Sequence, residues 1–148
     1  MKKILFVCLG NICRSPMGEF VFKDLAEKAG RRDEFRIGSA ATSSWEIGNP
    51  VYPPAREALQ RHGITCEGKQ ARQLTEEDYE AWDLILAMDR RNMEDMQALF
   101  GGDPRHKLRL LMEFAGESRE VADPYFTRDF EKSYEDILKG CQGLLKSI

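Results

Sequence analysis

Short, unbroken apolar runs alternate with helix-patterned stretches along almost the whole chain, and this alternation restricts the fold more than any other feature. Ile4–Cys8 carries no polar break, as expected of a strand buried on both faces. Ser15 then reads as a cap and Pro16 as a first-turn residue of a helix with apolar positions at Met17, Phe20, Val21 and Leu25, ending at Gly30. "FRIGSA" is a second short strand. The loop "ATSSWEIGNPVYPP" leads to a helix near Ala55–His62 that stops at Gly63. Thr75, three residues before Asp78, gives a capping-box-like signal ahead of a third strand at Leu84–Met88. "RNMEDMQALF" is a helix closed by Gly101, and "KLRLLMEF" offers a fourth strand. "DFEKSYEDILKGCQGLLKSI" is a closing amphipathic helix with Phe130, Tyr134, Ile137, Leu138, Cys141 and Leu145 on one side. Strands and helices in this order predict an α/β, three-layer fold: a four-stranded parallel sheet flanked by helices, with right-handed crossovers, in one domain over residues 1–148.

Ligands of such sheets bind beyond the carboxyl ends of the strands, so the loop after the first strand is the place to look for chemistry. That loop, Leu9–Arg14, runs from a strand end to a helix start. Its amides can point inward as a nest, with the helix N-terminus adding partial positive charge, so an oxyanion fits there. Gly10 gives conformational freedom, and Asn11 is one of the few other residue types that tolerate a positive φ. The Lys-Ser/Thr pair of nucleotide P-loops and the three spaced glycines of dinucleotide folds are both missing, which disfavours a nucleotide. Cys8 stands at the base of the loop and Arg14 at its end, five residues intervening. Donors that hold a dianion would also stabilise a thiolate at Cys8.

The charge balance narrows the partners. With 22 basic and 25 acidic residues the net charge is −3, which argues against a general nucleic-acid or membrane-surface binder, so any anion site is local. No apolar run approaches a membrane span, and "MKKILFVCLGNICRSP" does not read as a secretory signal; the chain is expected to be soluble and intracellular. In that setting Cys8, Cys13, Cys66 and Cys141 read as thiols rather than bridges. Cys8 and Cys13 lack the second Cys or His pair of a zinc site, since His62 and His106 stand alone, so no metal is expected.

"CLGNICRS" resembles the Cys-x5-Arg-Ser signature of the low-molecular-weight protein tyrosine phosphatases, and "SAATSSWEIGNP", "RHGI", "ILAMD" and "ADPYF" resemble that family's segments in the family's order. The resemblance implies a phosphate-binding loop after the first strand and a metal- and cofactor-independent hydrolysis of phosphotyrosine monoesters. Its catalytic residues would be Cys8 as nucleophile, Arg14 as phosphate clamp and Asp123 as general acid and base. Leu9, Gly10, Asn11, Ile12, Cys13 and Ser15 would form the substrate cradle, with Ser15 hydrogen-bonding the thiolate. Trp45, Tyr125 and Phe126 would wall a slot deep enough to select phosphotyrosine over phosphoserine.

Ser39 and His62 would support the strained loop by holding Asn11. Ile12 stands where a related arginine-dephosphorylating branch usually has Thr, which favours tyrosine. Cys13 corresponds to a vicinal thiol that could form a reversible disulfide with Cys8 and guard it from overoxidation. The implied partners are phosphotyrosine proteins or small aryl phosphates, with no nucleic acid or membrane. The implied setting is the cytoplasm, as a monomer or a weak dimer.

Blander roles exist for the same residues. Taken alone, Cys8 could be a buried structural thiol, His62 a helix-end residue before Gly63, Asp123 a turn initiator before Pro124, and Trp45 a core plug. Asp89 could equally support the cradle or cap "RNMEDM". Two other functions compete. Arsenate reduction on this fold needs further cysteines to relay a disulfide, and none lies between Cys66 and Cys141. A non-catalytic phosphotyrosine-binding module would have lost the nucleophile or the acid, yet Cys8, Arg14 and Asp123 are all present.

Overall fold

The computed structural model describes all residues, Met1–Ile148. Four strands, β1 (Lys2–Cys8), β2 (Phe35–Ala41), β3 (Leu84–Ala87) and β4 (Leu108–Leu110), form one parallel sheet in the order β2-β1-β3-β4. The helices are α1 (Arg14–Lys28), α2 (Pro53–Arg61), α3 (Asp78–Ala81), α4 (Arg90–Phe100), α5 (Pro124–Thr127) and α6 (Phe130–Ser147). The unbroken apolar run of β1 follows from its central position. Ile4, Phe6 and Cys8 turn into the core beneath α1 and α6, whereas Leu5 and Val7 turn into a second core with Ile85, Ala87, Met96 and Trp82. A strand with both faces in apolar cores has no position for a polar residue.

Registers place the strand ends together. Ile4 pairs with Ile37 on one side and Leu84 on the other, so Cys8, opposite Ala41, closes β1 at the carboxyl edge of the sheet. The chain leaves β1 toward β2 and later returns to β1's other side as β3. The loop after β1 therefore opens at a topological switch point.

Two expectations change. Ser15 does not cap α1, which begins one residue earlier at Arg14 with Cys13 as the capping position; the Ser15 hydroxyl is engaged elsewhere. The fourth strand is only three residues long, because Leu111–Ala115 coils into a 3-10 turn packed beneath α6. Two α6 glycines permit that contact. A Cβ on Gly143 would lie 1.8 Å from the Phe114 carbonyl oxygen, and one on Gly140 2.7 Å from Leu111 Cγ. With helix and turn this close, Leu111 and Met112 are buried by α6 rather than by extending the sheet. No helix is long and apolar enough to cross a membrane.

Candidate active site

The loop Leu9–Cys13 is tied down by its carbonyls. Cys8 O accepts from Thr42 N, Leu9 O from Ser43 N and Oγ, Ile12 O from Tyr52 N, and Cys13 O from Met17 N, at 2.8–3.1 Å. With the carbonyls drawn outward, the amides turn inward. Asn11 N and Ser15 N donate to Cys8 Sγ at 3.4 and 3.3 Å, and the amides of Gly10, Ile12, Cys13 and Arg14 have no acceptor within the protein. The result is a ring of donors around a sulfur at a helix N-terminus, suited to an anion.

Asn11 supplies the turn, at φ 57°, in the left-handed region. Its side chain reads as a directional relay. Oδ1 accepts from Arg72 N at 3.1 Å, which orients the amide; Nδ2 then donates to Ser39 Oγ (3.0 Å) and Ser15 Oγ (2.7 Å). Ser39 Oγ donates to Glu19 Oε1 at 2.5 Å, and Lys69 Nζ donates to Ser39 O and lies 3.5 Å from the same carboxylate. Ser15 Oγ accepts from Asn11 Nδ2 and from the Cys8 thiol, 3.1 Å away, and donates to Ala40 O at 3.4 Å; once Cys8 is ionised the same hydroxyl can turn its proton onto the sulfur. Burial, partly offset by Glu19, pushes the Lys69 ammonium below the ordinary lysine range.

Arg14 is 2% exposed and cannot swing. Its Nη1 donates to Asp89 Oδ2 (2.7 Å) and Val121 O (2.8 Å), and Nη2 reaches Asp123 Oδ2 at 3.4 Å. Burial disfavours its charge, but Cys8, Asp123 and Asp89 outweigh burial and raise its pKa. Asp89 performs both duties that the sequence left open. Oδ1 caps α4 by accepting from Asn92 N at 2.7 Å, with the Asn92 side chain answering from the other half of a capping box, and Oδ2 orients Arg14. Asp123 caps α5 by accepting from Tyr125 N, so its carboxyl faces the loop from the far wall. The segment before it is anchored by Val121 N to Met88 O and by Ser133 Oγ to Ala122 O.

Between these walls lies a cavity of about 170 Å³ with Cys8 and Arg14 at its base, bordered by Leu9, Gly10, Ile12, Cys13 and Asp123. Trp45, Glu46, Tyr125 and Phe126 form the rest of the lining; Trp45 and Phe126 are about three-quarters exposed, so they are rim rather than core plugs. Asn11 and Ser15, expected among the substrate contacts, are instead buried behind the sulfur and do not line the cavity. The Cys13 thiol is pushed far up, by burial first and then by the negative charges of Cys8 and Asp123, so it stays protonated beside Cys8. Cys66 and Cys141 are buried, and burial raises both.

The expected role of His62 is corrected. Its ring stacks on Tyr134 at 3.9 Å and its Nε2 lies 2.8 Å from Glu131 Oε2, so it joins the end of α2 to α6 and touches no part of the loop. Asn11 is held by Ser39, as expected, and by Arg72. Arg72 in turn is clamped bidentately on Asp78 at 2.9 and 3.1 Å. Neither Arg72 nor Asp78 stood out in the sequence as part of the site. Glu19 could have been found, as a carboxylate one helical turn from Ser15 on the buried side of α1.

Residues 3–148 match the family model described as low molecular weight phosphotyrosine protein phosphatase. The chain belongs to this family. It is 41% identical over 150 residues to the low molecular weight protein-tyrosine-phosphatase YfkJ of Bacillus subtilis, covering all of this chain and 96% of that protein. The YfkJ crystal structure superposes with a TM-score of 0.97 over 100% of this chain and 94% of the other. The human low molecular weight phosphotyrosine protein phosphatase is 38% identical over 98% of this chain and 94% of its own. A Drosophila arginine phosphatase is also similar in structure, with 33% identity, a TM-score of 0.88, and 99% and 97% of the chains covered.

Proposed function

We propose that this protein hydrolyses phosphotyrosine monoesters through a phosphocysteine intermediate. The observation that carries the reading is the outward anchoring of the loop carbonyls, which leaves inward amides and Arg14 around Cys8 Sγ. In the first step the Cys8 thiolate attacks phosphorus; the S–P bond forms as the P–O bond to the aryl group breaks, and Asp123 gives its proton to the departing phenolate oxygen. Arg14 and the loop amides hold the equatorial oxygens throughout, as fixed donors that need no reorganisation. In the second step the Asp123 carboxylate takes a proton from water, whose oxygen attacks phosphorus. The S–P bond breaks, releasing inorganic phosphate and restoring the thiolate, which the Ser15 hydroxyl and the Asn11 and Ser15 amides stabilise.

Trp45, Tyr125 and Phe126 flank an aromatic ring whose phosphate reaches the base, and Leu9 and Ile12 supply apolar contact beside it. We read residues 1–148 as one catalytic domain acting in the cytoplasm as a monomer, on phosphotyrosine proteins or aryl phosphates, with no nucleic-acid or membrane partner. The net charge of −3 supports the last point. Hydrolysis of p-nitrophenyl phosphate and of a phosphotyrosine peptide, undiminished by chelator, is expected. Cys8→Ser abolishes it, and Asp123→Asn lowers kcat by about 10²–10⁴-fold. Unchanged turnover in Cys8→Ser sinks the mechanism; release of phosphate from phosphoarginine but not from phosphotyrosine sinks the substrate class.

A further inference from the structure

Arg128 occupies the left-handed region, at φ 64°, where it ends α5. A glycine would hold that position without steric cost, whereas a long side chain is disfavoured there. The guanidinium is held against the backbone of Tyr125, a residue of the catalytic cavity's lining. Its Nη1 donates to Tyr52 Oη (3.2 Å) and to the Tyr125 carbonyl (3.4 Å), and its carbon sits 5.6 and 5.5 Å from the Tyr52 and Phe130 ring centres. No carboxylate pairs with it; the adjacent Asp129 is occupied in capping α6 through Lys132 N. Nε and Nη2 have no acceptor within the protein. Its charge is felt inside the site, where it opposes the rise of the Cys13 thiol. The cavity lining itself carries the opposite sign at Glu46.

We propose that Arg128 is a specificity residue, which binds an acidic side chain flanking the phosphotyrosine of a peptide or protein substrate. This rests on the phosphotyrosine phosphatase reading above. A ring seated between Trp45 and Tyr125 brings its peptide backbone out at the rim, and consecutive residues of an extended chain advance about 3.3 Å each, so a neighbouring carboxylate comes within reach of the two free donors. The planar fork suits a carboxylate, and the rings beneath keep the guanidinium from folding away.

The test compares kcat/KM for synthetic phosphotyrosine peptides identical except for flanking Glu, Ala or Lys. For the wild type at low ionic strength the Glu peptide is favoured over the Ala peptide by about three- to fivefold, the range of a partly exposed ion pair, and high salt erases the preference. In Arg128→Gly the ratio falls to about one, and in Arg128→Glu it inverts toward the Lys peptide. A Glu-to-Ala ratio that is the same in the wild type and Arg128→Glu overturns the proposal. Should Arg128→Glu not fold, a wild-type ratio near one, or one that salt does not change, overturns it equally. Failure to hydrolyse any of the three peptides would strike the phosphatase reading itself.

Discussion

Replacing Asn11 by alanine tests whether the loop is held by its side-chain relay and its unusual backbone together. Three hydrogen bonds are lost, to Ser15, to Ser39 and from Arg72 N. At about 1 kcal/mol net each they amount to about 3 kcal/mol. Asparagine and alanine both carry a Cβ at φ 57°, so the substitution adds no new steric cost and the total stays near 3 kcal/mol. Asn11→Gly loses the same bonds but removes that Cβ, although a more flexible unfolded chain returns part of the gain, so it is less damaging than alanine by about 0.5 kcal/mol. Urea unfolding of the three proteins measures both numbers. kcat/KM on p-nitrophenyl phosphate is expected to fall by about 10–100-fold in each, because the Asn11 amide no longer sits fixed on Cys8 Sγ. An alanine variant within 1 kcal/mol of the wild type, or a glycine variant clearly less stable than alanine, refutes the reasoning.

Asp89→Asn retains an oxygen to cap α4 but removes the charge facing buried Arg14; a loss of about 2 kcal/mol and a drop in kcat/KM are expected, and unchanged kinetics would show that Arg14 does not depend on Asp89. Asp78 has its pKa raised by burial but lowered more by Arg72, Thr75 N and Trp82, leaving it below the ordinary value. Its folded form therefore binds its proton later than the unfolded chain, so its stabilisation is full above about pH 4 and is lost as pH falls through the folded pKa. The stability gap between wild type and Asp78→Asn should accordingly shrink toward acid, and a gap that widens contradicts the assignment. For the neighbouring thiols, peroxide oxidises the Cys8 thiolate to a sulfenic acid, which condenses with the Cys13 thiol to a disulfide and water. A thiol reductant should then restore the wild type but not Cys13→Ser, and equal recovery would exclude a guarding role.

How far the site could be read in advance differs residue by residue. Cys8, Arg14 and Asp123 meet around one cavity as expected, because a strand end, a loop and a helix start fix the first two by chain continuity, and "ADPYF" carried the third. Asn11 was legible from its tolerance of positive φ. Its partners were not equally so: Ser39 was expected, but His62 was placed beside it on the strength of "RHGI" alone, and α2 turns that ring toward Tyr134 and Glu131. Arg72 contributes a backbone amide, a group every residue except proline has, so no side-chain pattern marks it. The fourth strand was overestimated because an apolar run is buried as well by α6 as by a sheet, and only the glycines at 140 and 143 distinguish the two.

By itself the sequence determined the layered α/β plan, a loop after β1 suited to an anion and the Cys8 thiol at its base, since these depend on period, composition and spacing along a few consecutive residues. The tertiary structure decided what holds that loop in its reactive form. Glu19, Ser39, Lys69, Arg72 and Asp78 converge on Asn11 from α1, β2, the segment after α2 and α3, and Asp89 reaches Arg14 from the end of β3. Their sequence separations run up to 75 residues, and only the pairing of β1 between β2 and β3 brings those chain ends to one edge of the sheet. A polar group far along the chain has no local signature of its partner, because the desolvation that makes the pair matter exists only once the sheet has assembled.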